Sequence, residues 1–92
     1  MAVRWTRLAA DDLSPICDYT EKRFGAGSAQ RAALALYDGV DSLHSMPLRG
    51  PLGRRPGTRE LMIGGLPFVI IDRVCRDEVQ VVCILHGSQR RP

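Results

Sequence analysis

Ninety-two residues with 45% hydrophobic and 25% charged content allow one small globular core and exclude a disordered chain. The net charge of +3 is too small to require a nucleic-acid partner, and it is uneven: residues 1–46 hold five basic and six acidic side chains, residues 47–92 eight basic and four acidic. The chain opens on no apolar h-region, and no run approaches the roughly 18 apolar residues of a membrane-spanning helix, so the expectation is a cytoplasmic protein with no membrane association. Cys17, Cys75 and Cys83 are odd in number and form no Cys-x-x-Cys pair, which argues against a zinc cluster or a disulfide framework. No metal or cofactor is expected.

The pattern of residues predicts one domain over 1–92. In residues 2–7, Val3 and Trp5 alternate with Arg4 and Thr6, as in a short first strand. Residues 8–24 follow as a helix, with Leu13, Ile16, Thr20 and Phe24 at three- and four-residue steps. Asp11 or Asp12 is placed to cap it, and Ser14–Pro15 suits a first turn. Gly25–Ala26–Gly27 ends that helix, and Ser28 is the expected cap of a second over 29–45, striped by Ala29, Ala33, Leu36, Val40 and Leu43. Gly39 within it marks close packing, and Met46–Pro47 stops it.

Residues 47–57 hold three prolines, three glycines and the basic side chains Arg49, Arg54 and Arg55 with no acid. This is a turn-rich loop, either a solvated linker or an arginine-bearing binding surface. Strands are expected at 58–64, 67–74 and 79–86, joined by short turns into an antiparallel meander, before the basic tail 87–92. The order is β-α-α-β-β-β. It describes an α+β fold of two layers, a helical hairpin packed on a small, mainly antiparallel sheet. The third and fourth strands lack clean alternation, so the sheet face away from the helices is expected to be apolar and open to a partner segment.

Arg54, Arg55, Arg59, Arg73, Arg90 and Arg91 are candidates for one convergent patch that receives RNA phosphates, DNA phosphates or an acidic peptide. The alternative is scattered surface charge. Twelve of the thirteen basic residues are arginine, whose planar fork suits phosphate and carboxylate alike. His86, at the end of the last strand, is either a general acid or base or a structural hydrogen-bonder; Asp72 is its nearest titrating candidate, or else pairs with an arginine. Glu60 reads as a salt-bridge residue of the sheet, and Cys75 and Cys83 flank the last hairpin close enough to be neighbours.

Taken in order, these segments resemble the RelE/ParE toxin superfamily, and within it the ParE-like branch. The resemblance rests on Val3–Arg7 with Ala10, Asp12, Leu13, Ile16 and Tyr19, on Leu43, Met46–Pro47 and Gly53–Arg54, and on 57–61, 67–74 and 84–92. It implies the toxin of a bacterial type II toxin–antitoxin system, neutralised by a cognate antitoxin, with operator DNA bound only through the antitoxin.

ParE-like members are similar to inhibitors of DNA gyrase that have no catalytic residues of their own. RelE-like members cut mRNA on the ribosome. The RelE pattern places an arginine after the aromatic of the third strand, where this chain has Val69, and a C-terminal tyrosine beyond the point where this chain ends at Pro92. The resemblance therefore favours gyrase inhibition over ribosome-dependent cleavage, with no residue favoured as catalytic. Were the chain a nuclease, His86 would be the acid or base and Arg59, Arg73 and Arg90 the phosphate holders. A harmless basic binding domain of the same fold is the third alternative.

Overall fold

A computed structural model describes residues 1–87. Strand β1 (Ala2–Trp5) leads into helix α1 (Arg7–Phe24), then α2 (Ala26–Asp41) and a single 3-10 turn at Ser42–His44. After a long loop come β2 (Arg59–Met62), β3 (Phe68–Cys75) and β4 (Glu78–His86). The sheet order is β1-β4-β3-β2; β4 runs antiparallel to β3 and parallel to β1, and β2 is antiparallel to β3. The expected β-α-α-β-β-β layers are therefore observed. No helix of the described chain is long and apolar enough to cross a membrane.

Both helices differ from their predicted starts. The cap of α1 is Thr6, not Asp11 or Asp12: its hydroxyl accepts the Ala9 N–H at 3.2 Å, so Pro15 lies inside the helix and not in its first turn. Asp12 serves the sheet instead, accepting the backbone N–H of Ile84 at 2.9 Å. The α2 helix starts three residues before the predicted position, because the single residue Gly25 both ends α1 and precedes α2. Its φ of +92° is a conformation that a side chain would strain. Ser28, predicted as a cap, is the third residue of the helix and accepts a bond from the Arg31 guanidinium at 2.9 Å.

The main core lies between the helices and the sheet. Ile16 of α1 and Leu36 and Val40 of α2 pack on Leu61, Phe68, Ile70, Val79, Val81 and Ile84, with Trp5 at the margin. Trp5 meets Tyr37 at a ring separation of 5.5 Å, which agrees with its expected packing role. Gly39 packs against Ile63 and Ile70 of the sheet side, so its missing side chain brings α2 close to the strands and not to α1.

A β-bulge explains why the last strands lack alternation. Ile71 pairs with Cys83 but Asp72 pairs with Val81, leaving Val82 as the extra residue. Val79, Val81 and Ile84 consequently face the helices, while Val82, Cys83 and Leu85 join Val69 and Ile71 on the opposite face. That face is not the open apolar surface expected: Val69, Ile71 and Cys83 are buried. Exposed apolar area lies on the helical hairpin, at Leu8, Phe24, Leu34 and Tyr37, on the long loop, and at Met62, the cross-strand partner of Val69. Cys75 pairs with Glu78 beside the turn and Cys83 with Ile71, several rungs apart, so the two cysteines are not the neighbours expected.

Thr6 is the joint of this architecture. Besides capping α1 it donates its hydroxyl toward the carbonyls of Val81 and Val82, at 2.8 and 2.9 Å. Thr6→Val keeps the shape and removes these bonds and the cap. The expected loss is about 1–3 kcal/mol of unfolding free energy in urea titration, compared with a few tenths for Ser14→Ala, which trims an exposed hydroxyl of α1.

Candidate functional site

Among the described residues of the expected basic patch, Arg59 and Arg73 do not converge. Arg59 opens β2 opposite Asp72, on the face that carries Leu61, Ile70 and the helices. It is half-buried and its Nη1 donates to the Gly50 carbonyl at 2.9 Å. Arg73, the next residue after Asp72, is on the opposite face. There Arg73 Nε donates to Gln80 Oε1 at 3.0 Å, Gln80 Nε2 donates to Glu78 Oε1 at 2.9 Å, and the same carboxylate pairs with Arg4 at 3.0 Å. The Gln80 and Arg4 bonds hold the Glu78 carboxyl below its ordinary range. Arg54 and Arg55 are exposed on the loop, and Arg90 and Arg91 lie outside the described residues.

His86 sits elsewhere again. It pairs with Phe68 at the start of β3, whereas Arg59 and Arg73 are at the level of Asp72 or beyond, four or five residues along that strand and thus roughly 15 Å away. Its ring meets Phe68 edge to face at 6.0 Å and Tyr19 at 6.4 Å, and Tyr19 meets Phe68 at 6.4 Å. The guanidinium of Arg23 lies 5.1 Å from the Tyr19 ring centre, within cation–π range. Asp72 is no partner of His86: it faces the core from the far part of β3, beside Arg59.

These aromatic residues wall a groove of about 530 Å³ between the helical hairpin and the end of the sheet. Phe24, Ala32, Ala35, Leu66 and Pro67 complete its apolar lining, and Arg31 and His86 supply polar edges. Phe24 is 68% exposed. A large aromatic held in water beside an apolar groove is the usual mark of a surface that receives another molecule. The sequence pattern alone marks Tyr19 and Phe24 as packing residues. Their helical spacing fits that role equally well, and only the meeting of α1, α2 and the Gly64–Gly65 turn makes them a wall.

The loop forms a second candidate surface at the other end of β2. Leu52 bridges to Arg59, Glu60 donates its N–H to the Pro51 carbonyl at 3.0 Å, and Gly53 and Thr58 are joined by a backbone bond of 2.8 Å. Glu60, expected in a salt bridge, accepts the Arg54 backbone N–H at 2.9 Å. Gly53 is required at its position, since a Cβ there would stand 2.6 Å from Thr58 Oγ1. The loop is thus a small ordered platform on the edge of the sheet. Among the described residues no cluster of His, Cys, Asp and Glu is arranged to hold a metal ion.

Comparison with known proteins adds a family to this geometry. Residues 3–91 match the model of the ParE toxin of the type II toxin–antitoxin system parDE. The chain is 34% identical over 90 residues to the Y4kP protein of Sinorhizobium fredii, covering 98% of this chain and 92% of the relative. It is 39% identical over 87 residues to toxin RelE2 of Caulobacter vibrioides, covering 95% and 96%. Among solved structures it is similar to a chain of the chromosomal ParDE toxin–antitoxin system of Pseudomonas aeruginosa, with a TM-score of 0.85, 31% identity and coverage of 94% and 95%. The RelBE2 toxin–antitoxin complex of Mycobacterium tuberculosis shares the fold, with a TM-score of 0.68 at 23% identity over 92% and 95% of the two chains.

Asp72 gives this region a pH dependence. Its carboxylate is fully buried with no hydrogen-bond partner among the described residues, and burial raises its pKa from 3.8 to about 6 against the opposing pull of Arg59. A carboxyl with a raised folded pKa binds its proton more tightly in the fold. Its contribution to stability is therefore full below about pH 4, falls as pH rises to about 6, and is level beyond. Unfolding free energy is expected to fall by about 2–3 kcal/mol across that window, and Asp72→Asn to flatten the fall when thermal and urea unfolding are followed from pH 4 to 7.5.

Proposed function

We propose that this chain, which belongs to the ParE toxin family of type II toxin–antitoxin systems, binds and inhibits DNA gyrase and is held inactive by a cognate antitoxin. The separation of His86 from Arg59 and Arg73 carries the choice of inhibition over cleavage. Cutting RNA requires an acid or base within reach of the same phosphate that positive groups stabilise. Here Arg59 is spent on the Gly50 carbonyl, Arg73 on Gln80, and His86 is packed among rings at the other end of β3. A binding protein has no such requirement.

The groove supports the antitoxin part of the reading. Its aromatic walls, its place beside two helices and the flanking Arg23 and Arg31 suit an amphipathic segment with apolar anchors and carboxylates. The similar Pseudomonas aeruginosa structure is of a ParDE toxin–antitoxin system, in agreement with a protein partner of this kind. One observation favours the competing reading of a ribosome-dependent mRNA endonuclease: His86 lines an open groove that also holds Arg31. In that reading His86 is the acid or base and Arg23 and Arg31 take the place of Arg59 and Arg73.

Brief expression without the antitoxin discriminates the two. Gyrase-linked DNA breaks with intact mRNA are expected; cuts in ribosome-bound mRNA with intact DNA would overturn the proposal. His86→Ala supplies a second check. It is expected to lower the melting temperature and weaken antitoxin binding roughly tenfold, because it removes a ring from the groove wall, while gyrase inhibition stays within about threefold of wild type.

A further inference from the structure

Two surfaces lie at opposite ends of β2: the groove beside the Gly64–Gly65 turn that follows Met62, and the loop that leads into Arg59. The groove is apolar. The loop combines exposed basic side chains with exposed apolar ones and contains no acid. Arg54 and Arg55 are exposed, and neither enters an ion pair among the described residues. Leu48 and Leu52 of the same loop are 61% and 76% exposed. No acid occurs from Pro47 to Thr58, and the nearest, Glu60, turns its carboxylate onto the Arg54 backbone.

The loop is also fixed in shape before anything binds. The bridge at Leu52, the bonds at Gly53, Thr58 and Glu60, and the Arg59 guanidinium on Gly50 tie it to β2 at both ends. Gly50 is buried with Leu61 backbone atoms 3.1 Å from where a Cβ would stand, so the loop cannot take a side chain there without moving. A preordered loop loses little further entropy on association.

We propose that this loop, residues 47–58, is the target-docking surface, and that its partner is a protein surface offering carboxylates to Arg54 and Arg55 and an apolar patch to Leu48 and Leu52. Phosphate backbones would satisfy the arginines but give the two leucines nothing, whereas protein interfaces join arginine to buried apolar side chains. The inference rests on the toxin reading above and assigns its target contact to the end of the sheet away from the groove.

Two double variants test it, Arg54→Glu with Arg55→Glu and Leu48→Ser with Leu52→Ser, with Arg7→Glu as a charge control on an exposed helical residue. Each chain is expressed from a titratable promoter without antitoxin, and the level that halves growth is measured; melting temperatures of the purified chains report folding. Both double variants are expected to need about tenfold more protein or greater for the same arrest, with melting temperatures near wild type and Arg7→Glu unchanged. Arrest unaffected by the double variants, or equally lost in Arg7→Glu, overturns the proposal. Loss confined to the charge reversal overturns it too, because that is the signature of a nucleic-acid partner. Inhibition of supercoiling by purified gyrase is assayed in parallel. A wild-type chain that arrests growth but leaves gyrase untouched sinks the gyrase reading while the growth data still judge the loop, and a wild-type chain that arrests nothing overturns both.

Discussion

Beyond Trp5, where β1 ends, β4 continues for several residues with no strand on that edge, and its backbone groups there need partners that are not another strand. Thr6 and Asp12 supply them. The Thr6 hydroxyl bonds the carbonyls of Val81 and Val82, at the bulge, and Asp12 takes the Ile84 N–H from one and a half turns into α1. These contacts set where α1 starts and how it lies on the sheet. Through the one-residue link at Gly25 they also set α2. The bulge itself decides which β4 side chains enter the helix-facing core, and it carries His86 to the same face as Phe68.

The two ends of the sheet acquire different chemistry from this arrangement. At the His86 end the helical hairpin stands off from the strands, and rings from α1, β3 and β4 meet across the gap. At the Asp72 end the chain is filled tightly. Asp72 is buried under the hairpin side of the sheet, Arg59 leans beside it, and the guanidinium ties down Gly50 and the platform that follows. The buried acid is costly in itself, since it has no hydrogen bond. Arg59 lies across the strand pair from it, and its guanidinium is held by the Gly50 carbonyl, apart from the exposed Arg54 and Arg55.

Periodicity made the element order, the helical hairpin and the irregular, arginine-bearing loop legible in the sequence, and the quoted segments made the family legible too. The helix starts were less readable, because Thr6, Asp12 and Ser28 are all residues that cap helices in isolation. Long-range bonds to Val82 and Ile84 assign Thr6 and Asp12 their work, while Ser28 accepts from Arg31, three residues on within the helix. The face assignment after residue 81 was hidden for a similar reason. A bulge is a relation between two strands, and an unbroken apolar run such as Val81–Leu85 is compatible with several registers.

What the sequence alone determined was composition-level and local: a small α+β chain, mildly basic in its second half, with arginines but no nucleophile motif or metal-ligand spacing. The tertiary structure decided which of those arginines are available. Arg59 and Arg73, alike in sequence as strand residues, point to opposite faces and are consumed by Gly50 and Gln80, while Arg54 and Arg55 are left outward on a rigid loop. It also turned Tyr19 and Phe24 from presumed packing residues into the wall of a groove. Availability of a side chain depends on what lies across the strand and across the core, and neither neighbour is near in sequence.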